Sequence, residues 1–498
     1  MADRIIASAQ YAMAHATDYA TWSSAAEELD RLEGLDDWKN DETSDEYDWR
    51  LVRSRLRNIR QYRAAADVPK LVYHLRQGLH WNLGNTGNPA LYAHCRVGTK
   101  KLVREYVTEV SDALKFLCDY EGPGFSKADR LRFFHETALS YGRSALMLSG
   151  GATLGLFHVG VVKALYREKL LPMVLSGSSA GSLVSAIVGS RAPSEVEALL
   201  DPANAYYSFW KLLPPREMLK QRVMMDQVQV RKAIAQNMPD LTFEEAYKLS
   251  GKIINITVSP AGSNQPPRLL NYLTFPYLYL REAAMASCAV PLLFPPVQLM
   301  TRDEDGQRSP YMPLLRWNDG SLKSDLPTIR IRRLHNVNHF IVSQTNPHVL
   351  PFVSKREPGS KGVINSARDY ANSTARNQAK SLLDLARGAL PLGPLARPLE
   401  TASAILDQNY RGNINIFPEV SLWRYFNVTS NPDLDTIKRF ILEGERAAWP
   451  RIEMIRNQTL ISSTLDACVE KLDRGESALV PMPELPRKPG LRVVRARD

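Results

Sequence analysis

The sequence predicts an α/β fold with a largely parallel central sheet, because apolar strands and helices alternate along its middle part. Two strand–turn–helix units carry this prediction, one over residues 144–165 and the other over residues 172–188. Each unit starts with a short apolar run, turns at a glycine-rich segment and continues with apolar residues at helical spacing. Units of this kind place their strands side by side and cover the sheet with helices. We therefore expect a three-layer α/β/α arrangement, flanked by helical N- and C-terminal regions.

The first unit turns at residues 149–155, which read S-G-G-A-T-L-G and end at Gly155. Glycines at a strand-to-helix turn let several backbone N–H groups converge, and the dipole of the following helix adds partial positive charge. No Lys-Ser or Lys-Thr pair follows, and the spacing is not G-x-G-x-x-G, so the turn fits neither a nucleotide P-loop nor a dinucleotide site. The remaining interpretation is an oxyanion hole beside the turn of the second unit.

The second unit carries G-S-S-A-G at residues 177–181, which matches the G-x-S-x-G pattern of a nucleophile elbow. A serine on such a turn is held in a strained backbone conformation that exposes its hydroxyl at the helix N-terminus. Gly177 and Gly181 leave room for the strand and the helix to pass close to the turn. Alone, the pattern also fits a plain Gly/Ser connection. Next to an oxyanion turn, it predicts that Ser179 is a nucleophile.

A third motif lies farther along the chain, where W-N-D-G-S at residues 317–321 places Asp319 before Gly320. An Asp-Gly pair is common in ordinary turns, so its position relative to the other motifs matters. The glycine-rich turn, the G-x-S-x-G elbow and the D-G pair follow one another along the chain. This order resembles that of the patatin-like phospholipases and lipases.

That resemblance implies a mechanism, because patatin-like enzymes use a Ser–Asp dyad. By matching motif to motif, Ser179 corresponds to the nucleophile and Asp319 to the general base. Gly150, Gly151 and Ala152 correspond to the oxyanion loop. The implied chemistry needs no metal ion or other cofactor.

Two motifs depart from the commoner patatin pattern. The usual oxyanion loop is G-G-G-x-R/K-G, and Ala152 and Leu154 replace its third glycine and its basic residue. A backbone N–H donor survives the change from glycine to alanine as long as φ stays negative, so Ala152 is expected to preserve the hole. The missing cation removes a contact to an anionic head group and favours neutral glycerides over phospholipids. The usual acidic motif is D-G-G or D-G-A, and here Ser321 follows Gly320.

Outside the catalytic motifs, the chain resembles one particular group within this family. The chain is similar to the triacylglycerol lipases of yeast, filamentous fungi and plants that act on lipid droplets. This similarity implies a serine acylhydrolase that cleaves triacylglycerol through an acyl-enzyme. The matching stretches, in family order, are 22–49, 82–101, 286–291, 338–344 and 444–446.

Other uses of the same site stay open from the sequence. A (lyso)phospholipase or an acyltransferase needs the same serine, and an alcohol can replace water as the acyl acceptor. Some family members are described as acyltransferases with a His-(x)4-Asp motif, but none of the 9 histidines here has aspartate five positions on. A non-catalytic lipid-droplet scaffold is the alternative from a different class. The intact pair of Ser179 and Asp319 favours an enzyme.

The α/β-hydrolases share the elbow but require a histidine after the acid. His335, His339 and His348 all follow Asp319, so the order of residues permits this architecture. His339 opens an apolar run typical of a buried strand, and we interpret it as a structural histidine near the strand end. A Ser–Asp dyad instead requires Asp319 to accept the serine proton directly. Its pKa should then lie above the ordinary value of about 3.9, and partial burial would raise it.

The organisation predicted along the chain has four parts. Residues 1–140 form a helical N-terminal domain of unassigned role, and residues 141–350 form the catalytic domain. Residues 351–475 form a helical region that packs on or completes the catalytic domain, and residues 476–498 form a loose basic tail. A chain of 498 residues with 44% hydrophobic and 23% charged residues has an ordinary globular composition.

Cysteine usage and charge indicate the compartment and the partners. The four cysteines form neither a CxxC pair nor a disulfide framework, which suits a reducing compartment. The chain opens without the apolar core of a signal peptide. Its net charge of +10 is dispersed and no nucleic-acid motif is present, so we expect lipid surfaces rather than nucleic acid as partners. We predict an intracellular protein bound peripherally to lipid droplets or to the endoplasmic reticulum.

Two apolar stretches are candidates for lipid contact. Residues 283–300 are uncharged but contain three prolines, which break a membrane-spanning helix. We interpret this stretch as a core strand and part of an acyl-chain channel, with plain core packing as the alternative. Residues 381–399 are leucine-rich, weakly basic and interrupted by prolines. This second stretch fits either a segment that lies on a lipid monolayer or a buried connection between helices.

Overall fold

The middle layer of the protein is a seven-stranded sheet, counted over the part of the chain that the structure describes. This computed structural model describes residues 2–262, 265–347, 349–350, 410–419 and 429–477. A separate hairpin is formed by the fifth and sixth strands. The strands are β1 (Arg143–Leu148), β2 (Val174–Gly177), β3 (Ile253–Pro260), β4 (Arg268–Leu270), β5 (Met300–Arg302), β6 (Arg308–Pro310), β7 (Trp317–Asp319), β8 (Val337–Ser343) and β9 (Ile414–Ile416).

Helices precede the sheet, alternate with its strands and follow it. Among the described residues before β1 they are α1 (Ala2–His15), α2 (Tyr19–Leu32), α3 (Leu35–Asn40), α4 (Trp49–Ala64), α5 (Val68–Gly78), α6 (Lys101–Asp119) and α7 (Lys127–Tyr141). Those from β1 onward are α8 (Leu156–Arg167), α9 (Ala180–Gly189), α10 (Val196–Leu199), α11 (Pro215–Gln221), α12 (Gln227–Asn237), α13 (Phe243–Ser250), α14 (Leu280–Ser287), α15 (Ser321–Ser324), α16 (Thr328–His335), α17 (Leu434–Ala448) and α18 (Ile452–Ser477).

The strand order is β4-β3-β2-β1-β8-β9, and β7 also pairs with β3. The strands from β3 to β9 along this path are parallel, whereas β4 and β7 run antiparallel to β3. Leu148 lies opposite both Gly177 and Ser343, so β1, β2 and β8 end at the same level. The turns that follow these three strands therefore meet at one edge of the sheet. The predicted α/β fold with a largely parallel sheet is confirmed.

Side chains on β1 alternate between two buried faces of the sheet, as strand geometry requires. Leu146 and Leu148 belong to the larger core, together with apolar residues of α6, α8 and α18. Ala145 and Met147 belong to a second core on the opposite face, which Ile331 of α16 helps to cover. Because helices pack on both faces, the arrangement has the three layers that the alternation of elements predicts.

Helix α6 shows how the N-terminal helices join this core. Its apolar residues recur every three or four positions, which places them on one face of the helix. All of them are buried, as the spacing predicts: Leu102, Val103, Tyr106, Val107, Val110, Leu114 and Leu117. Helix α18 packs against α6, α7 and β1, so the N-terminal and C-terminal helices share one core with the sheet.

Helices α8 and α17 cross at two glycines. A Cβ atom on Gly160 would overlap the carbonyl of Ile441, and one on Gly444 would overlap the carbonyl of Phe157. Next to this crossing, Lys163 Nζ and Glu445 Oε1 form a buried ion pair at 2.7 Å. The contact fixes α8, the helix that follows the glycine-rich turn.

The stretch 283–300 does not form the strand that its apolar composition suggests. Its first residues belong to helix α14, and an irregular segment follows up to β5 at Met300. The prolines explain this, since they supply no N–H donor to a strand ladder. Val297 makes an isolated bridge with Trp317. The other candidate, 381–399, lies outside the described residues, as does the tail beyond residue 477. No helix in the described part of the chain combines the length and the apolar character needed to cross a membrane.

Candidate active site

Ser179 lies on the tight turn between β2 and α9. Its backbone has φ of 50° and ψ of −121°, a conformation that L-residues rarely adopt. Such strain costs on the order of 1–3 kcal/mol and persists only where surrounding contacts hold it. The Ser179 N–H donates to Ser287 Oγ at 2.9 Å, and Ser182 Oγ donates to the Ser179 carbonyl at 2.6 Å. The turn therefore has the strained geometry predicted for an elbow.

Close backbone packing explains the glycines of the three motifs. A Cβ atom on Gly177 would overlap the Gly181 carbonyl, and one on Gly181 would overlap the Leu148 carbonyl. Any side chain at these positions would push the elbow away from the end of β1. The same lack of space applies to all four motif glycines, Gly155, Gly177, Gly181 and Gly320.

Asp319 ends β7 and is almost completely buried, with 2% of its surface exposed. Its Oδ1 accepts the Ser321 N–H at 2.7 Å. Burial disfavours the charged carboxylate and raises the pKa of Asp319 from 3.8 to about 6, although hydrogen bonds from Ser321 and Ser179 oppose this. The predicted rise in the pKa of Asp319 is confirmed.

The side chains of Ser179 and Asp319 lie next to each other. The Ser179 hydroxyl stabilises the ionised carboxylate and so lowers the pKa of Asp319. Asp319 Oδ2 nevertheless has no hydrogen-bond partner within 3.5 Å among the described residues. The contact therefore falls outside the distance and angle of an ordinary hydrogen bond. Catalytic hydrogen bonds are often long in the absence of substrate and shorten in the complex.

The glycine-rich turn presents a different set of N–H groups from the one that the sequence suggests. The Gly150 N–H donates to Asp325 Oδ1 at 2.9 Å, so the prediction that Gly150 serves an oxyanion is wrong in this structure. The N–H groups of Gly151, Ala152 and Ala180 have no acceptor among the described residues. Ala152 and Ala180 also line the same pocket as Ser179.

A buried polar network holds the glycine-rich turn that follows β1. His158 Nδ1 pairs with Ser343 Oγ at 2.7 Å, and His158 Nε2 contacts the Ser149 carbonyl at 3.0 Å. Thr345 Oγ1 donates to the Gly150 carbonyl at 3.1 Å. Burial lowers the pKa of His158 to about 4, so this histidine is neutral at physiological pH. The network holds the turn without adding charge.

The histidines that follow Asp319 lie away from Ser179. His339 Nδ1 pairs with Ser144 Oγ at 2.9 Å near the start of β1, whereas the elbow lies at the opposite end of the sheet. His335 Nε2 pairs with Asn255 Oδ1 at 2.8 Å. The structural interpretation of His339 is confirmed. His348 lies outside the described residues.

Ser179 opens onto an apolar pocket of about 1180 Å³, a volume that includes its open mouth. Leu183, Val184 and Ile187 of α9 form one wall, and Trp210 stacks on Phe294 at another. No described residue that lines the pocket carries a charge. The stretch 283–300 supplies Cys288, Val290, Leu293 and Phe294 to the lining.

Comparisons with known proteins agree with this geometry. The profile of a family described as "Patatin-like phospholipase" matches residues 146–330, and that of "Domain of unknown function (DUF3336)" matches residues 4–139. Triacylglycerol lipase ptl3 of Schizosaccharomyces pombe is 32% identical over 94% of this chain and 98% of its own length. The chain belongs to the patatin-like phospholipase family.

Other relatives of this patatin-like protein are longer. Triacylglycerol lipase SDP1L of Arabidopsis thaliana is 34% identical over 93% of this chain and 58% of its own length. Triacylglycerol lipase 4 of Saccharomyces cerevisiae is 34% identical over 91% of this chain and 52% of its own length. The chain thus spans little more than half the length of these two relatives. Among solved structures, VipD from Legionella pneumophila aligns with a TM-score of 0.28 and 14% identity over 66% of this chain and 67% of that chain, which is too remote to support an argument.

Among the described residues, no group of three or more His, Cys, Asp or Glu side chains is placed to hold a metal ion. The acidic groups nearest Ser179 are instead held by hydrogen bonds. Asp325 is buried, and its two carboxylate oxygens accept Gly150 N–H at 2.9 Å and Asn346 Nδ2 at 3.1 Å.

Sequence reasoning assigned no role to Asp325 or to Ser287. Asp325 stands six positions after Asp319, and Ser287 lies within the matched stretch 286–291. These short distances along the sequence indicate that both residues lie near the motifs in the structure. They do not indicate that Asp325 reaches back to Gly150, because that contact depends on how β7 is placed against β3.

Ala152 adopts φ of +50°, contrary to the expectation that its φ stays negative. A left-handed alanine costs roughly 1–2 kcal/mol, because Cβ crowds the following carbonyl. Part of this cost disappears in Ala152→Gly, which should raise the free energy of unfolding by up to about 1 kcal/mol in urea titrations. Because the N–H donor remains, esterase activity should be retained.

Ala66→Gly provides a matched control for the Ala152 prediction. Ala66 is exposed, has φ of +49° and lies in the N-terminal helical region, far along the chain from the motifs. It should gain stability by a similar amount. A loss of stability in Ala152→Gly beside a gain in Ala66→Gly would contradict the strain argument.

Proposed function

We propose that this protein is a serine acylhydrolase that cleaves ester bonds of neutral lipids, with triacylglycerol as its principal substrate. The observation that carries the proposal is the meeting of Ser179, Asp319 and the apolar pocket at one edge of the sheet. A hydroxyl on a strained elbow, next to a buried carboxylate of raised pKa, is suited to acyl transfer. The uncharged lining suits a fatty acyl chain. The names of the matched triacylglycerol lipases support the same substrate class.

In the first step, Ser179 Oγ attacks the carbonyl carbon of the ester while its proton passes to Asp319. The carbonyl oxygen gains negative charge as the tetrahedral intermediate forms. The unpaired N–H groups of Gly151, Ala152 and Ala180 are the available donors to this oxygen. One well-placed donor is typically worth about 3–4 kcal/mol in the transition state.

Collapse of the intermediate breaks the bond between the carbonyl carbon and the alcohol oxygen. The alcohol takes the proton from Asp319 and leaves as diacylglycerol, while the acyl group stays on Ser179. A water molecule then gives its proton to Asp319 and attacks the acyl-enzyme. The second collapse releases the fatty acid and returns the proton to Ser179.

The raised pKa of Asp319 suits both halves of this cycle. With a pKa of about 6, the carboxylate is ionised at neutral pH but is more basic than an exposed aspartate. A general base works best when its pKa lies near the operating pH. Burial therefore makes a carboxylate adequate for a role that histidine fills in triads.

We also propose that the protein acts as a peripheral protein at the surface of lipid droplets or of the endoplasmic reticulum. An insoluble ester must be reached at a lipid–water boundary. The net charge of +10 favours anionic lipid surfaces. No described helix has the length and the apolar character needed to span a membrane.

The proposed reaction can be tested by fatty-acid release from emulsified trioleoylglycerol and from lysophosphatidylcholine, measured side by side with wild type and Ser179→Ala. We expect triacylglycerol turnover that the substitution lowers by at least about 10³-fold. Ser185→Ala is a matched control, since Ser185 is a buried serine of α9, the helix that begins just after Ser179, and its Oγ has no partner among the described residues. It should retain activity.

Three other outcomes would contradict the proposed substrate class, the proposed nucleophile or the catalytic role. Hydrolysis of lysophosphatidylcholine but not of trioleoylglycerol, lost in Ser179→Ala, would support Ser179 as the nucleophile. It would contradict neutral lipids as the substrate class. Activity that survives Ser179→Ala would exclude the proposed nucleophile. A folded wild-type protein that releases no fatty acid from either lipid would favour a non-catalytic role.

A further inference from the structure

Three short backbone segments run side by side, and two of them contain or adjoin residues that line the apolar pocket, among them Trp210 and Leu293. The Leu213 N–H donates to the Met224 carbonyl at 3.0 Å, and the Met224 N–H donates to the Leu292 carbonyl at 3.1 Å. The Met225 N–H donates to the Leu293 carbonyl at 2.9 Å. Helix α11 connects the first two segments. The segments form a small platform beside the pocket.

Each segment of this platform has one exposed apolar residue followed by a buried or half-buried one. The exposed residues are leucine or methionine, and the residues that follow them are leucine, methionine and leucine. We define the outer apolar face as the exposed apolar residues of the three segments together with the exposed leucine of α11: Leu212, Leu219, Met224 and Leu292.

Leu292 is the most unusual member of the outer apolar face. Its φ is +73°, in the left-handed region that favours glycine, and 76% of its surface is exposed. A leucine there strains the backbone, and its side chain gains little from burial within the protein. Asparagine or glycine would remove the strain. The folded chain alone gives no reason for leucine at this position, whereas an external apolar partner does.

Three cations lie close in sequence to Leu219, the α11 member of the outer apolar face. Arg216, Lys220 and Arg222 are exposed on and just after α11, next to Leu219. None of the three takes part in a salt bridge among the described residues. Glu217 is the acidic residue of this helix. Apolar residues bordered by unpaired cations match a phospholipid surface, where acyl chains lie below anionic head groups.

The outer apolar face continues into the pocket. Leu292 is followed directly by Leu293 and Phe294, which line the pocket together with Ser179. On the segment that contains Leu212, Trp210 stacks on Phe294, with ring centroids 6.0 Å apart. A lipid that leaves a surface held against Leu292 would thus meet apolar contacts up to the nucleophile.

We propose that the outer apolar face docks the protein on the phospholipid-covered surface of a lipid aggregate. The leucines and Met224 enter the acyl region, and the cations of α11 contact anionic head groups. This inference rests on the proposed function, in which a lipid ester passes from that surface into the pocket. The face is a binding surface and holds no residue of the proposed dyad.

The test measures binding of the full chain to vesicles of phosphatidylcholine with about one-third phosphatidylserine, in a Ser179→Ala background that removes turnover. We expect Leu292→Gly and Leu219→Asp each to lower the partition coefficient by about tenfold, because a buried leucine contributes that much to membrane affinity. Leu292→Gly removes backbone strain, so its urea midpoint should not fall. It therefore separates loss of binding from loss of folding.

Leu139→Asp is the matched control for these variants. Leu139 is 70% exposed and lies at the other end of the sheet, where its carbonyl accepts Asn336 Nδ2 at 2.8 Å just before β8 begins. Vesicle binding should be unchanged in this variant. Hydrolysis of a soluble short-chain ester, measured with Ser179 present, should be unchanged in Leu292→Gly and Leu219→Asp.

The proposal is overturned if wild type does not bind these vesicles, or if Leu292→Gly and Leu219→Asp combined bind as well as wild type. It is also overturned if the combined variant changes only the oligomeric state, since the face would then bind a second copy of the chain. Vesicle binding that depends on this face without any lipid hydrolysis would retain the docking surface and refute the proposed function.

Discussion

Asp319→Asn should lower kcat/KM for ester hydrolysis by about 10²–10⁴-fold, because asparagine cannot accept the Ser179 proton. The loss should be almost entirely in kcat for a soluble ester, since Asp319 is buried at the end of β7 and does not line the apolar pocket. Stopped assays with a short-chain p-nitrophenyl ester would measure it. A variant with more than half of wild-type kcat would exclude Asp319 as the base.

The same substitution should make the protein more stable at pH 8. The pKa of Asp319 is raised to about 6 in the folded state, against about 3.9 in the unfolded chain. Between these values the unfolded state ionises first, so stability is lost as pH rises. Above pH 6 the cost is complete and is on the order of 2–3 kcal/mol. Asparagine removes this cost.

Measurements at two pH values provide the control for this gain. Urea unfolding of wild type and Asp319→Asn should differ at pH 8 and converge below about pH 3, where Asp319 carries a proton in both the folded and the unfolded state. In the wild type, kcat/KM should rise with pH and inflect near 6, because the base must be ionised. A gain in stability that is equal at both pH values would indicate a packing effect unrelated to charge.

Asp325→Ala should lower kcat by about 10²–10³-fold without removing any group that reacts. The substitution leaves Gly150 N–H and Asn346 Nδ2 without their carboxylate acceptor inside the protein. Each unpaired buried donor costs about 1–3 kcal/mol, so the turn should shift to recover a partner. Gly151 and Ala152 follow Gly150 directly, and their N–H groups would move with it. Asp325 is in this sense a positioning residue.

Asp325→Asn should recover most of this loss, because its amide oxygen can accept the Gly150 N–H. The measurement is kcat and KM for a soluble ester, corrected for the folded fraction. Asp30→Ala is a matched control, since Asp30 is also a buried aspartate that accepts backbone N–H groups, from Arg96 and Val97. It should lose stability but keep kcat per folded molecule. An equal effect of both substitutions on kcat would exclude a specific role for Asp325.

The catalytic constellation was predictable where chemistry is carried by short, ordered motifs. G-x-S-x-G imposes a strained turn, so the conformation of Ser179 followed from five residues. Two consecutive strand–turn–helix units predict that β1 and β2 are parallel and end at the same edge of the sheet, as observed. The raised pKa of Asp319 followed from its requirement to act as a base and from the apolar residues around it.

Contacts between distant parts of the chain were not predictable in the same way. The Gly150 N–H is engaged by a carboxylate 175 positions later, which no local pattern reveals. The positive φ of Ala152 depends on how the turn is pulled toward Thr345 and Asp325, and alanine itself disfavours it. The stretch 283–300 has the composition of a strand, yet helix α14, which begins at Leu280, covers its first residues. The prolines that follow prevent a regular strand before Met300.

The crossing of α8 and α17 has a genetic consequence. Every reacting residue is encoded before codon 344, whereas the glycine that seats α17 against α8 is residue 444. An allele with a premature stop codon between these positions would still encode the nucleophile, the base and the oxyanion turn. Its product would nevertheless expose the apolar side of α8 and lose the counter-charge of Lys163. Such truncations should therefore behave as null alleles, although no catalytic codon is altered.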